Sequence, residues 1–271
     1  MSTPLAAYEP VVGHRVIDHL RQLAHPLAGS RIVHVNSTRA GGGVAEILDR
    51  LVPLMRELGL DVSWEVIEGD ADFFTVTKRF HNALQGDRTE IPARLLDHYF
   101  EVNRANAQRL APVLAGADFV IVHDPQPAAL WRFLPERTGT WVWRCHIDVS
   151  RPHRPVWKFL RNEVGGYAAS IFSLAAFAQP LRHPQYLIAP SIDPLAEKNI
   201  ELPADEVAAV AAGFGIDPDR PLLVQVSRFD RFKDPVGVIR AYRMVRAHQP
   251  LQLVLAGSEA DDDPEGAQVL A

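Results

Sequence analysis

Cysteine is almost missing from this chain: its 271 residues include one, Cys145. An intrachain disulfide is therefore excluded, which fits a reducing, cytoplasmic setting. Long apolar runs are missing too. No stretch of eighteen apolar residues occurs, and residues 1–13 lack a basic region followed by an apolar one, so neither a membrane span nor a signal peptide is read. Positive charge is in deficit, with 28 Lys and Arg against 33 Asp and Glu and a net charge of -5, which argues against a nucleic-acid partner. The dinucleotide fingerprint Gly-x-Gly-x-x-Gly and the P-loop Lys-Ser/Thr are absent. His123, Cys145, His146 and His153 match no structural zinc spacing, and no metal is expected. What is present, 47% hydrophobic and 23% charged residues, is ordinary globular usage at a length that allows one large or two modest domains.

Alternation organises the chain. Apolar runs at 32–35, 62–67, 119–122, 141–145, 170–173 and 186–189 read as strands, with helical stretches near 44–58, 73–84, 92–110, 127–134 and 155–164 between them. Strands separated by helices require parallel crossovers, so the expected class is α/β with a doubly wound sheet. The segment 190–199 contains Pro190 and Pro194 and no sustained periodicity, which suits a linker. Domains are accordingly expected at 1–190 and 191–271. The second has a helix near 204–212, a strand at 222–226, a helix near 235–247 and a strand at 251–256, then the acidic run Glu259 to Asp263, read as a solvated loop. Two strands and two helices do not cover both faces of a parallel sheet, so this domain is expected to be incomplete in the chain.

Two loops carry the chemistry. Ser227-Arg228-Phe229-Asp230-Arg231-Phe232-Lys233-Asp234-Pro235 follows the strand at 222–226 and leads into a helix. Arg228 and Lys233, five residues apart beside a helix N-terminus, favour a diphosphate, because fixed cations and free N–H groups both attract an anion. A solvated basic turn reads the same way on spacing alone. Far upstream, Arg39-Ala40-Gly41-Gly42-Gly43-Val44 follows the strand at 32–35 and opens a helix. Consecutive glycines let the backbone approach a ligand closely, although a tight strand-to-helix turn uses them equally well. Two such loops in separate α/β halves suggest a ligand clamped between two domains. Gly41, Gly42, Gly43, His123, Asp124, His146 and Asp148 all fall beyond the carboxyl ends of strands, where open α/β sheets bind ligands.

Gly42-Gly43-Val44-Ala45-Glu46, His123-Asp124-Pro125-Gln126, Trp143-Arg144-Cys145-His146-Ile147-Asp148 and the Ser227 to Pro235 motif resemble the retaining glycosyltransferases of the GT-B fold, family 4. Within it they are most similar to the trehalose-forming branch, as is the segment 72–82, and the resemblance covers roughly residues 30–260. It implies two Rossmann-like doubly wound domains, the second truncated here, since the family's late Glu-x7-Glu motif is not found after the linker. A fragment of a longer protein, inactive by itself, is therefore expected.

The implied reaction moves glucose from a nucleoside-diphosphate glucose donor to a sugar acceptor, expected to be glucose, without cofactor or metal. Arg228 and Lys233 would stabilise the leaving diphosphate, with Arg39 near phosphate. His146 would face the transferred sugar and hydrogen-bond one of its hydroxyls; read by its position alone, a strand-end histidine is as readily a packing residue. Asp124 and Asp148 suit sugar hydroxyls as bidentate acceptors, a helix cap before Pro125 being the other reading of Asp124. A trehalose phosphorylase of the same fold and a non-catalytic sugar-nucleotide-binding module are the competing readings. The uncovered second domain points to a homo-oligomer.

Overall fold

The computed structural model describes residues 3–40, 42–229, 231–257 and 269–270, and it divides into two compact units, Met1–Ile192 and Asp193–Ala271. In the first unit, helices α1 (Leu5–Val12) and α2 (His14–Ala24) precede strand β1 (Arg31–Asn36). Then follow α3 (Gly43–Glu57), β2 (Asp61–Val66), α4 (Ala71–Leu84), α5 (Ala93–Leu114), β3 (Phe119–His123), β4 (Thr140–Cys145), α6 (Arg154–Val164), β5 (Ala169–Phe172) and β6 (Gln185–Leu187). All six strands pair in parallel, in the order β2-β1-β3-β4-β5-β6. The α/β class and the parallel sheet expected from the alternation are therefore present.

The period of two along each strand builds two hydrophobic layers. From β1, β3 and β4, Val33, Val35, Val120, Val122, Trp143 and Cys145 enter one core with Phe73 and Phe80 of α4, Tyr99 and Leu110 of α5, and Leu160 of α6. On the other face Ile32, Val62 and Trp64 pack with Ala45, Leu48 and Val52 of α3. Strands covered on both sides read as continuous apolar runs, which is how residues 32–35 of β1 are written in the sequence apart from His34. Each large side chain fully buried here contributes about 1.5–3 kcal/mol. At the start of α4 the Asp70 carboxylate accepts the Phe73 N–H at 2.8 Å, satisfying one of the orphan amides of the first turn.

The stretch expected as a helix at 127–134 is instead a turn followed by a short 3₁₀ segment, Leu130–Phe133. The chain that leads into it is held by side chains from elsewhere, which take the carbonyls of residues 124–126 and 128. Trp143 Nε1–H donates to Asp124 O, Tyr99 O–H to Pro125 O, Asn103 Nδ2–H to Gln126 O and Tyr167 O–H to Ala128 O.

The second unit has α7 (Ala204–Gly213), β7 (Leu222–Val226), α8 (Pro235–Arg246) and β8 (Gln252–Ala256), with β7 and β8 paired in parallel. Leu251 is buried, whereas Val224 and Val226 of β7 are exposed. The acidic run at 259–263 lies outside the described residues.

Candidate active site

Strand β1 is flanked by β2 on one side and β3 on the other, so chain direction across the sheet reverses between β1 and β3. A crevice at the carboxyl ends follows from that reversal, and it is where such sheets take ligands. Asn36 ends β1, His123 ends β3, and His146 and Asp148 follow β4.

Asp124 fastens two of these ends together. It adopts the left-handed conformation, φ 62°, uncommon for a residue with a Cβ but tolerated by Asp. Its N–H donates to Arg144 O at 2.8 Å, its carbonyl accepts from Trp143 Nε1–H at 3.0 Å, and its carboxylate Oδ1 accepts the His146 N–H at 2.7 Å. The side chain thus holds the backbone of His146 rather than capping a helix. Asp148 closes its own turn, Oδ1 accepting the Ser150 N–H at 2.8 Å.

Three imidazoles form a file across the strand ends. His34 Nδ1 lies 3.0 Å from His123 Nε2, and His123 Nδ1 lies 2.9 Å from His146 Nε2. Ring centroids are 5.3 and 5.2 Å apart. His34 and His123 are 3% and 5% exposed, and His146 is half-buried. Burial lowers all three: His34 to about 4, His146 to about 3 with Arg144 adding to the effect, and His123 well below its ordinary value through burial and its charged and imidazole neighbours. The rings are therefore neutral at pH 7. No three nitrogens converge on one point, and among the described residues no group of three His, Cys, Asp or Glu is arranged to hold a metal ion. Cys145 points into the opposite core, its thiol donating to Ile147 O at 3.6 Å.

Arg144, 7% exposed, lies one position before Cys145 on β4 and donates from Nη2 to Ile188 O at 2.6 Å. Burial lowers its pKa, and the Asp124 carboxylate opposes that shift. A guanidinium so deeply placed keeps its charge and lends the strand ends a fixed positive field.

Beside β1, the loop before α3 is pinned to β2. Arg39 lies over the Trp64 ring, 4.1 Å from its centroid, and donates to Trp64 O at 2.9 Å. Trp64 Nε1–H in turn donates to Asn36 Oδ1 at 2.7 Å. The guanidinium expected near phosphate is thus packed on an indole. Gly41 lies outside the described residues. Gly42 is the N-cap of α3 at φ -136°, with no side-chain cap on the helix. Neither Gly42 nor Gly43 has a positive φ, and a Cβ would meet nothing within 4 Å at Gly43 and only Thr38 Cγ2 at 3.9 Å at Gly42. Neither the backbone nor the packing requires glycine there. What Gly42 and Gly43 leave is open approach to the amides at the start of a fifteen-residue helix that, among the described residues, has no side-chain cap.

In the second unit, half-buried Arg228 follows β7 and exposed Lys233 closes a short 3₁₀ turn, Arg231–Lys233, before α8. Asp234, at φ 46°, caps α8 by accepting the Gly237 N–H at 3.0 Å. The two cations share one strand-to-helix loop, but one amide of that helix start is already satisfied by a carboxylate.

Sequence reasoning missed His34, Arg144 and Trp64 as parts of these strand ends. The available signals were a lone histidine and a lone arginine inside otherwise apolar strands.

A parallel α/β unit with polar strand ends at its switch point, followed by a second parallel unit with a basic strand-to-helix loop, has the GT-B class of fold. A crystal structure of an α,α-trehalose-phosphate synthase (UDP-forming) from Burkholderia xenovorans, in complex with glucose-6-phosphate, aligns with a TM-score of 0.65 at 19% identity, covering 89% of this chain and 69% of that one. In sequence, a family model described as trehalose synthase, N-terminal domain, matches residues 34–179, more than half of the chain, and the chain belongs to that family. It is 46% identical over 266 residues to a trehalose synthase of Pyrococcus horikoshii, covering 97% of this chain and 63% of that protein. It is 47% identical over 268 residues to one from Rubrobacter xylanophilus, covering 97% and 64%. The chain thus spans just under two thirds of the length of these curated relatives.

Proposed function

We propose that the protein is a retaining hexosyltransferase that moves glucose from a nucleoside-diphosphate glucose to glucose, forming trehalose. The observation that carries this reading is the Asp124–His146 hydrogen bond joining the carboxyl ends of β3 and β4, on the same edge of the sheet as the Gly42-Gly43 helix start that follows β1, in a chain of the trehalose synthase family. The anomeric C–O bond breaks while the acceptor hydroxyl oxygen bonds to the same carbon, and the acceptor proton leaves on a phosphate oxygen of the diphosphate. Negative charge then grows on the diphosphate, where Arg228 and Lys233 stabilise it electrostatically. His146 hydrogen-bonds a hydroxyl of the transferred glucose, held in place by Asp124. Asp148 and the Gly42-Gly43 amides line the sugar side, and Arg39 supports that loop through Trp64. Neither metal nor cofactor enters a step, and the partners are the donor and the acceptor sugar.

Incubation of the full-length protein with glucose and either a nucleoside-diphosphate glucose or glucose 1-phosphate tests this reading. Release of nucleoside diphosphate with formation of a non-reducing disaccharide is expected. Turnover with glucose 1-phosphate alone, releasing inorganic phosphate, would make it a phosphorylase. Binding of the sugar nucleotide without any product would make it a binding module.

A further inference from the structure

The order of protons along the histidine file is constrained by counting. Three neutral rings carry three N–H groups, and each of the two N···N contacts needs one proton between its nitrogens. His123 uses both nitrogens, so it donates on one side and accepts on the other, and the chain of donors runs in one direction. Both contacts join an Nδ1 to an Nε2, so all three rings must share one tautomer. Were it Nε2–H, His34 would bury that N–H, because His34 Nε2 is buried with no partner. The Nδ1–H arrangement leaves a bare lone pair there instead, and buried orphan N–H groups are the rarer and less tolerated kind. At the far end, His146 then turns its Nδ1–H away from His123, and that nitrogen makes no hydrogen bond with the described residues.

We propose that His34 and His123 are positioning residues that lock His146 as a fixed Nδ1–H donor, aimed at an oxygen of the transferred sugar. This rests on the reading of His146 as a sugar contact. The groups facing the file are the Asp124 carboxylate on the His146 N–H and the Arg144 guanidinium. His34 comes from β1 and has no access to the sugar itself. It acts by giving His123 a donor, so that His123 has its own proton to give to His146.

Histidine-specific ¹⁵N labelling with two-bond ¹H–¹⁵N correlation at pH 7 reads the tautomers directly. The Nδ1–H pattern is expected for His34, His123 and His146, and an Nε2–H pattern or an exchange average at these rings would overturn the proposal. That arm needs no turnover, so a protein without transferase activity would sink the functional reading while the spectrum still judges the file. Kinetics supply the second arm. His34→Asn keeps a donor near the Nδ1 position and should retain the His146 tautomer and kcat within a few-fold. His34→Leu should lose that tautomer and lower kcat by about tenfold to a hundredfold, the scale of losing a group that orients a reacting contact, with nucleoside-diphosphate affinity unchanged. Equal kinetics in the two variants would overturn the positioning role.

Discussion

Lowering the pH from 7 to 5 should destabilise the first unit strongly, because it contains three buried neutral histidines. In the unfolded chain each ring takes a proton near its ordinary pKa of about 6.5. In the folded chain burial holds His34 at about 4 and His146 at about 3, with His123 also well below the ordinary value. A depressed folded pKa means that the unfolded state binds more protons below pH 6.5, so stability is present above that pH and lost as pH falls towards about 4. For His34 and His146, displaced this far, the step from pH 7 to pH 5 removes about 2 kcal/mol each, about 4 kcal/mol together, and His123 acts in the same direction. That is comparable with the whole stability of many domains, about 5–15 kcal/mol.

Two other groups bear on the window. His98 is raised by its hydrogen bond to Asp70, so its contribution is present below pH 6.5 and lost only as pH rises through its raised value. Glu163 is raised by burial and offsets part of the loss near pH 5. All five tryptophans (Trp64, Trp131, Trp141, Trp143 and Trp157) belong to the first unit, so tryptophan fluorescence in urea titrations follows that unit alone. The unfolding free energy should fall by at least about 2 kcal/mol per pH unit between pH 6 and 5, and by about one proton's share less in His34→Leu. A slope below about 1.4 kcal/mol per unit, the value for a single proton, would refute the neutral file.

Other outcomes follow from the same strand ends and loops. In the full-length protein, Arg228→Ala and Lys233→Ala should each raise the transfer barrier by about 3 kcal/mol, seen as a fall in kcat of two orders of magnitude or more with unfolding curves unchanged; near-normal kinetics in both would remove the diphosphate assignment. Gly42→Ala should leave urea stability within about 1 kcal/mol, since the site has room and ordinary φ, yet weaken substrate binding measured by calorimetry; unaltered binding would mean the open amides hold nothing. Asp124→Ala should cost about 3 kcal/mol, combining a lost charged hydrogen bond with left-handed strain, and Asp124→Asn much less. Urea titration by fluorescence checks that pair, and equal losses would contradict the account of Asp124.

The alternation of buried strands and amphipathic helices was legible because β1 and β3 are apolar on both faces and α3 to α6 each carry a clear stripe. The two N-terminal helices were not, since Pro10 lies inside α1 and Val11, Val12, Val16, Leu20 and Leu23 are exposed, which blurs the period. Residues 127–134 look helical on their own period, and the groups that hold the carbonyls of Pro125 and Ala128 in a turn are as distant as Tyr99 and Tyr167. Asp124 and His146 were readable as candidates from their positions after strands. Their partnership was not, because it depends on register between β3 and β4 and on a left-handed backbone at Asp124. His34 was hidden for the same reason: its partner is 89 residues away, and in the sequence it is one polar residue in an apolar run.

The central claim, transfer of glucose with retention to form trehalose, is tested most directly by NMR of the product that the full-length protein makes from nucleoside-diphosphate [1-¹³C]glucose and unlabelled glucose. The account predicts a non-reducing 1,1-linked disaccharide carrying one label, with the labelled anomeric carbon still α. A β-configured labelled carbon, a different linkage, or no disaccharide at all would contradict it.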